Sequence, residues 1–302
     1  MRRLIIVWFC SLLGLAFSPL WAADHAQAAN HGALFKVSQG AHSLYLFGTI
    51  HVGAPDFYPL EPRISEALEK ASVLALEIDP QGDPARMASA VQKHGLYQKG
   101  GPASAELSPD YRARLERLLR QYQIEAETVA RMKPWLLASL LTISEFAAQG
   151  YDTSLAVDGW LAKQAHARGQ AIVELESVES QMALFDQMSK ADQVRFLEES
   201  IAGIEDHEQA DQAREIAEAW RDADVAGLDA LARKAAQDQT LSGRFVQKVL
   251  LDGRNPTLAA NIAKLLAREN SSVAAIGVLH LVGVNSVPEL LRKRGLAVER
   301  IY

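Results

Sequence analysis

Leu44-Tyr45-Leu46-Phe47-Gly48-Thr49-Ile50-His51 and Val273-Ala274-Ala275-Ile276-Gly277-Val278-Leu279-His280 carry one pattern twice, near opposite ends of the chain. Each is an apolar run that ends in Gly-x-x-His. A short apolar run bounded by glycine reads as a buried strand, and glycine lets the backbone pass close to another group. Each strand then delivers a histidine at or just past its carboxyl end, where ligands bind in open α/β sheets. Two such histidines predict one shared site, with Gly48 and Gly277 beside it.

Around these runs the pattern predicts an α/β fold. Strands at 34–37 and 43–47 are separated by the turn-like Ser38-Gln39-Gly40-Ala41-His42. Pro62 to Lys70 has helical spacing with Ile64, Ala67 and Leu68 on one face, and Val73-Leu74-Ala75-Leu76-Glu77-Ile78 is apolar on both faces, as a central parallel strand should be. Residues 84–150 read as helical, with starts marked by Pro109 and Pro134. A helix over 153–168 stops at Gly169 before the strand 171–175. The alanine-rich stretch 178–268 contains helices and no strand-like run. After the strand 273–279 come a helix over 287–294 and a last strand over 297–302. The expected architecture is one mixed sheet built from N- and C-terminal strands, with a large helical insertion or cap, over residues 24–302.

The first 23 residues predict a signal peptide. Arg2-Arg3 forms a positive start, Leu4 to Phe17 an apolar core, and Ser18-Pro19-Leu20-Trp21-Ala22-Ala23 a small-residue cleavage site. The alternative is an uncleaved anchor, but the run is shorter than the roughly 20 residues a spanning helix needs. Cys10, the single cysteine, leaves with that segment, so neither a disulfide nor a thiol nucleophile is expected in a periplasmic or secreted product. Loss of Arg2 and Arg3 takes the formal charge from −6 to −8, which argues against a nucleic-acid partner. No stable membrane insertion is expected after signal removal.

His51, Glu77 and His280 are the groups these strands would bring together, with Glu174 and Glu176 at a further strand end. Two imidazoles and a carboxylate form a common ligand set for divalent metals. Such a metal lowers the pKa of its water and polarises a carbonyl, and a remaining carboxylate can act as general base. The bland readings are concrete. A lone strand-end histidine is often a hydrogen-bonded structural residue. Glu77, in a strand that reads as buried, needs either a cation or an arginine, and Arg254 in Asp252-Gly253-Arg254-Asn255-Pro256 is available. Asp158 in Val157-Asp158-Gly159-Trp160 can simply favour a helix N-terminus. His25, His31, His42, His94, His166 and His207 lie in polar or helical surroundings and receive no role. The chain has no Gly-x-Ser-x-Gly elbow, phosphate loop or dinucleotide fingerprint.

At these residues the chain resembles the TraB/GumN family, which is related to the Tiki metalloproteases. The resemblance runs in order through Tyr45-Leu46-Phe47-Gly48-Thr49-Ile50-His51-Val52-Gly53, Asp56-Phe57-Tyr58-Pro59-Leu60 and Leu76-Glu77-Ile78-Asp79. It continues through Lys133-Pro134-Trp135, Val157-Asp158-Gly159-Trp160-Leu161-Ala162, Leu175-Glu176-Ser177, Arg254-Asn255 and Gly277-Val278-Leu279-His280-Leu281-Val282-Gly283. It implies a fold similar to erythromycin esterase and the haem-binding ChaN-like proteins. It further implies divalent-metal-dependent peptide cleavage, with manganese or cobalt and with His51, Glu77 and His280 as ligands. Asp158, Glu176, Arg254 and Asn255 match further family positions. Ser177 stands where threonine is usual, and Val278 where a smaller residue is. The expected activity is a periplasmic metal-dependent hydrolase, a peptidase with Mn, Co or Zn, in which Arg254 steadies a carboxylate or an oxyanion. One branch of the family is linked to blocking a peptide pheromone, so capture of a peptide or other small ligand without catalysis is the second expectation.

Overall fold

Gly40 sets the first turn. At φ +59° it occupies the left-handed region that two-residue hairpin loops require, and it folds β1 (Leu34–Gln39) antiparallel onto β2 (His42–Thr49), with Gln39 opposite His42. The chain, a computed structural model, is described over residues 29–302. The expected signal peptide lies outside the described residues.

From β2 the chain enters α1 (Pro62–Lys70), which starts on a proline suited to the first helical position and buries Ile64, Ala67 and Leu68, the face expected from their spacing. Next come β3 (Val73–Leu76), α2 (Pro84–Ala90), α3 (Pro109–Gln121), α4 (Ala126–Val129), α5 (Pro134–Ala148), α6 (Val157–Ala167) and β4 (Ala171–Glu174). The helical middle holds α7 (Val178–Asp186), α8 (Lys190–Glu205), α9 (Glu208–Arg221), α10 (Val225–Gln237), α11 (Leu241–Phe245) and α12 (Asn255–Arg268). The strand β5 (Ser271–Gly277), α13 (Val287–Lys293) and β6 (Ala297–Arg300) complete the order.

The six strands form one sheet in the order β4-β3-β5-β2-β1-β6. β4, β3, β5 and β2 are parallel, while β1 and β6 are antiparallel additions at one side. The chain moves one way from β2 to β3 to β4 and returns from β4 to β5. Right-handed crossovers therefore put α1 and α6 on one face and α12 on the other. Parallel alignment has one consequence for function: the carboxyl ends of these four strands open on the same edge. The central strand β3 is buried at every position, as its apolar composition demands.

Several boundaries differ from the sequence reading. β3 stops at Leu76, so Glu77 lies just past the strand rather than within it. β5 stops at Gly277, and Val278–His280 turns as a short 3₁₀ segment. The helix expected from 153 begins at Val157, preceded by a 3₁₀ turn over Thr153–Leu155. At the first two boundaries Glu77 and His280 meet tertiary partners, whereas at the third Asp152 caps the 3₁₀ turn locally by accepting the Ser154 N–H at 2.7 Å. Within the helical middle, α12 lies against β1, β2 and β5. Among the described residues no helix is long and apolar enough to cross a membrane.

The stretch after β2 is pinned at two points. Val157 N–H donates to Ile50 O at 3.0 Å, and Gly53 and Asp152 exchange backbone hydrogen bonds at 2.8 Å each way. A Cβ on Gly53 would sit 1.9 Å from the Leu155 carbonyl oxygen. Gly53→Ala should therefore destabilise the protein by about 1–3 kcal/mol or more through overpacking, read as a lower urea midpoint. Gly159→Ala should go the other way. It lies inside α6, a Cβ there meets only Ala156 Cβ at 4.0 Å, and the gain is about 0.5–1 kcal/mol.

Candidate active site

Each of the four parallel strands delivers one acidic or imidazole group to the same edge. β3 leads into Glu77, β4 into Glu176, β2 into His51 and β5 into His280. The first two are held side by side by the backbone, since Leu175 N–H donates to Leu76 O at 2.7 Å and Glu176 N–H to Glu77 O at 2.9 Å. Glu77 is buried, the Glu176 side chain is 9% exposed, and both meet Arg254, which is itself 5% exposed. Arg254 Nη2 donates to Glu77 Oε2 and to Glu176 Oε2, and Nε reaches Glu176 Oε1 and Oε2 at 3.2 and 3.0 Å. Gln181 of α7 adds its amide, with Nε2 at 3.2 Å from Glu77 Oε2 and 2.9 Å from Glu176 Oε2. The remaining oxygen of Glu77, Oε1, accepts the Gly277 N–H at 2.7 Å. The arginine that the sequence offered as a partner for Glu77 is thus its partner.

The two imidazoles face this carboxylate from the other side. His280 is fully buried and places Nε2 3.8 Å from Glu77 Oε1. Its Nδ1 meets Asn255 Oδ1. Asn255 Nδ2 donates to the Asn285 carbonyl at 2.9 Å, so its Oδ1 must accept, and His280 carries its proton on Nδ1. The lone pair is then on Nε2, toward Glu77. His51 Nδ1 lies 3.3 Å from Asp158 Oδ2, in the first turn of α6. An ideal Cβ on Gly277 would lie 3.4 Å from Glu77 Oε1, 3.4 Å from His51 Nε2 and 3.7 Å from His280 Cδ2. The missing side chain of Gly277 is the space these three groups share.

The electrostatics separate the two rings. Burial, and then Arg254 and His51, push His280 down to about 3 against the pull of Glu77, so it is neutral. Burial also opposes charge on His51, but the Asp158 carboxylate outweighs it and the ring is shifted upward. Glu77 resists burial because Arg254, His280, His51 and the Gly277 N–H together hold it well below the usual carboxylate range.

A divalent metal can be tested against this geometry. Two donors roughly 2.0–2.2 Å from a shared ion lie within about 4.4 Å of each other, and the 3.8 Å between His280 Nε2 and Glu77 Oε1 is inside that reach. The Nδ1 contacts of both rings are the outer partners that orient ligand imidazoles. Glu77, Glu176 and Asp158 set three carboxylates against the Arg254 guanidinium, which leaves two negative charges when both rings are neutral. A divalent cation fits that balance. Among the described residues no three His, Cys, Asp or Glu side chains stand as a finished ligand group, and Glu77 is already engaged by Arg254 and Gly277. Oε1 keeps a second lone pair for a cation beside the amide it accepts, and the donors present fit the metal.

Other expected positions fall elsewhere. Gly48 is a packing position: a Cβ there would lie 2.9 Å from Val278 Cγ2 and 3.1 Å from Leu281 Cδ1. Glu174 turns away from the site to Arg86, at 2.7 Å. His31 is buried and stacked on Trp220, and His94 lies between Asp186 and Glu179, so their surroundings are tighter than the sequence suggested. Gln181 was missed. Its signal is a polar residue on the otherwise apolar stripe Val178, Met182 and Phe185.

Arg254→Met should cost about 3–5 kcal/mol, because it strands two buried carboxylates without their cation; urea unfolding of metal-free protein at neutral pH reads this. His280 also sets a pH slope. The unfolded ring takes a proton near 6.5 and the folded ring only near 3, so its contribution to stability falls as pH drops through that window. Glu77 adds a loss of the same sign below about 4.5, whereas His51 works oppositely, stabilising at low pH and fading as pH rises through its raised value. The difference between wild type and His280→Gln in unfolding free energy should therefore slope between pH 6.5 and 3, and a flat difference would contradict the assignment.

The family model described as the TraB/PrgY/gumN family matches residues 33–300. The uncharacterized protein YbaP of Escherichia coli (strain K12) is 24% identical over 281 residues, covering 90% of this chain and 97% of that protein. An uncharacterized protein of Treponema pallidum (strain Nichols) is 24% identical over 311 residues, covering 97% of this chain and 92% of that protein. No solved structure matches. With the family model spanning both Gly-x-x-His strands and everything between them, this chain belongs to the TraB/PrgY/gumN family.

Proposed function

We propose that this protein is a periplasmic metal-dependent hydrolase that cleaves peptide bonds. The observation that carries the reading is the convergence of His51, Glu77 and His280 on the space left by Gly277, at the carboxyl edge of the parallel strands. These three residues would hold manganese, cobalt or zinc, and the ion would supply Lewis-acid polarisation of the scissile carbonyl. Glu77 serves as a ligand rather than the general base. A carboxylate held well below its usual pKa is a weak base, and both of its oxygens are directed by Arg254, Gln181 and Gly277. Asp158 and Asn255 orient the two imidazoles. Arg254 neutralises the carboxylate pair and offers positive potential to an oxyanion formed at the edge. The peptide class rests on the resemblance to the Tiki branch, and the periplasmic setting on the signal-like N-terminus.

A second reading is favoured by one observation: Arg254 already satisfies Glu77, so the cluster is stable as built and could form a pocket that captures a peptide without cleaving it. Mass spectrometry of candidate peptides incubated with the protein separates the two, since a binder returns them intact at stoichiometry.

Wild-type protein purified without chelator should contain close to one equivalent of divalent metal by elemental mass spectrometry, and His51→Ala/His280→Ala should contain none. Equal metal in both proteins would sink the reading. Gly277→Ala should keep the fold, because its nearest contacts are ordinary van der Waals distances, yet lose metal affinity by ~10-fold or more as the methyl fills the shared space. Titration calorimetry with Mn²⁺ beside a thermal melt reads both effects.

A further inference from the structure

Thr49 is the last residue of β2, two before His51. It is 1% exposed, and its hydroxyl oxygen has no hydrogen-bond partner among the described residues. A buried hydroxyl without a partner is costly and calls for a reason. Threonine's shape is available without the hydroxyl as valine, which suits a strand as well, so neither packing nor β-propensity explains the oxygen.

The sheet register supplies the explanation. β2 and β5 are parallel, and Thr49 is paired directly with Gly277. Paired residues on neighbouring strands project to the same face, about 4.8 Å apart. The Cβ direction of Gly277 points at Glu77 Oε1 and His51 Nε2, so the Thr49 side chain leaves the sheet beside that same space. Gly48, one residue earlier, faces Val278 and Leu281 instead, as alternation requires.

We propose that Thr49 is a ligand-contacting residue of this centre: its hydroxyl hydrogen-bonds an acyl oxygen of a molecule bound between His51, Glu77, His280 and Gly277. The inference rests on the metal-site reading above and deepens it by assigning a neutral donor for the acyl group. Arg254 is engaged with the two carboxylates, whereas Thr49, paired with Gly277, leaves the sheet next to the Cβ direction of that glycine. A neutral hydroxyl there can donate to a carbonyl oxygen and strengthen as negative charge grows on it.

The test uses wild type, Thr49→Val and Thr49→Ser, with acetohydroxamic acid as the acyl probe for the Mn²⁺-loaded proteins. Mn²⁺ affinity should stay within ~3-fold in all three, because Thr49 is not a ligand. Hydroxamate affinity should fall by ~10-fold in Thr49→Val and return to within ~3-fold of wild type in Thr49→Ser, the order expected for one lost hydrogen bond. Metal-free Thr49→Val should melt no lower than wild type, since it removes a buried, unpartnered oxygen. Equal hydroxamate affinity in wild type and Thr49→Val overturns the proposal, as does a wild type that takes Mn²⁺ but no hydroxamate. So does a Thr49→Val melting temperature lowered by several degrees, which would make the hydroxyl structural. Failure of wild type to bind Mn²⁺, Co²⁺ or Zn²⁺ is a separate outcome, and it overturns the metal-site reading and this proposal together.

Discussion

Glu77 and Glu176 leave adjacent parallel strands side by side, and the burial of two like charges there is tolerable only because Arg254 lies between them. Without the guanidinium the ends of β3 and β4 would carry unbalanced charge in a setting of low dielectric, where removing one partner is far costlier than the pair is worth. Arg254 comes from the start of α12, at the far end of the helical middle, and Gln181 comes from α7 at its near end. The long helical stretch therefore closes on the sheet through polar contacts as well as through the apolar face of α12. This is why the architecture is one unit, even though its strands come from both ends of the chain.

The same ion cluster prepares the site. Arg254 and Gln181 take one oxygen of Glu77 and the Gly277 amide takes the other, so the carboxylate is fixed before any ligand arrives. Asn255, the residue after Arg254, orients His280 and ties its own amide to the loop after β5. Asp158 does the corresponding work for His51 from the start of α6. One ring is kept neutral by burial, while the other is drawn toward its charged form by a carboxylate. Rigid supports of this kind are what a binding or catalytic centre needs to hold its geometry within a fraction of an ångström.

Much of the site was legible in the sequence because strand periodicity and glycine are local signals. The two Gly-x-x-His runs identified β2, β5, His51 and His280, and the apolar setting of Glu77 already demanded a cation or an arginine. Local signals failed where partners come from afar. The strand containing Glu77 looked longer than it is, because its apolar pattern runs on to Ile78 while β3 ends at Leu76. Gly48 and Gly277 look equivalent in sequence, yet one makes room for Val278 and Leu281 and the other for the space between Glu77, His51 and His280. Glu174 and Glu176 looked interchangeable, but Glu174 is the last residue of β4 and pairs with Arg86, while Glu176 lies past the strand end and meets Arg254.

Composition and pattern alone determined the α/β class, the buried strands, the helical middle and the short list of acidic and imidazole groups, since these depend on periodicity along the chain. The family membership followed from residues spread in order over that same length. Tertiary structure decided which carboxylate faces the imidazoles, which proton His280 carries, and which glycine leaves the shared space. It also brought Gln181 to both carboxylates and set Thr49 opposite Gly277 in the sheet. Those outcomes turn on parallel register and on contacts between residues more than a hundred positions apart, such as Glu77 with Arg254, and no local pattern encodes a distance across the sheet.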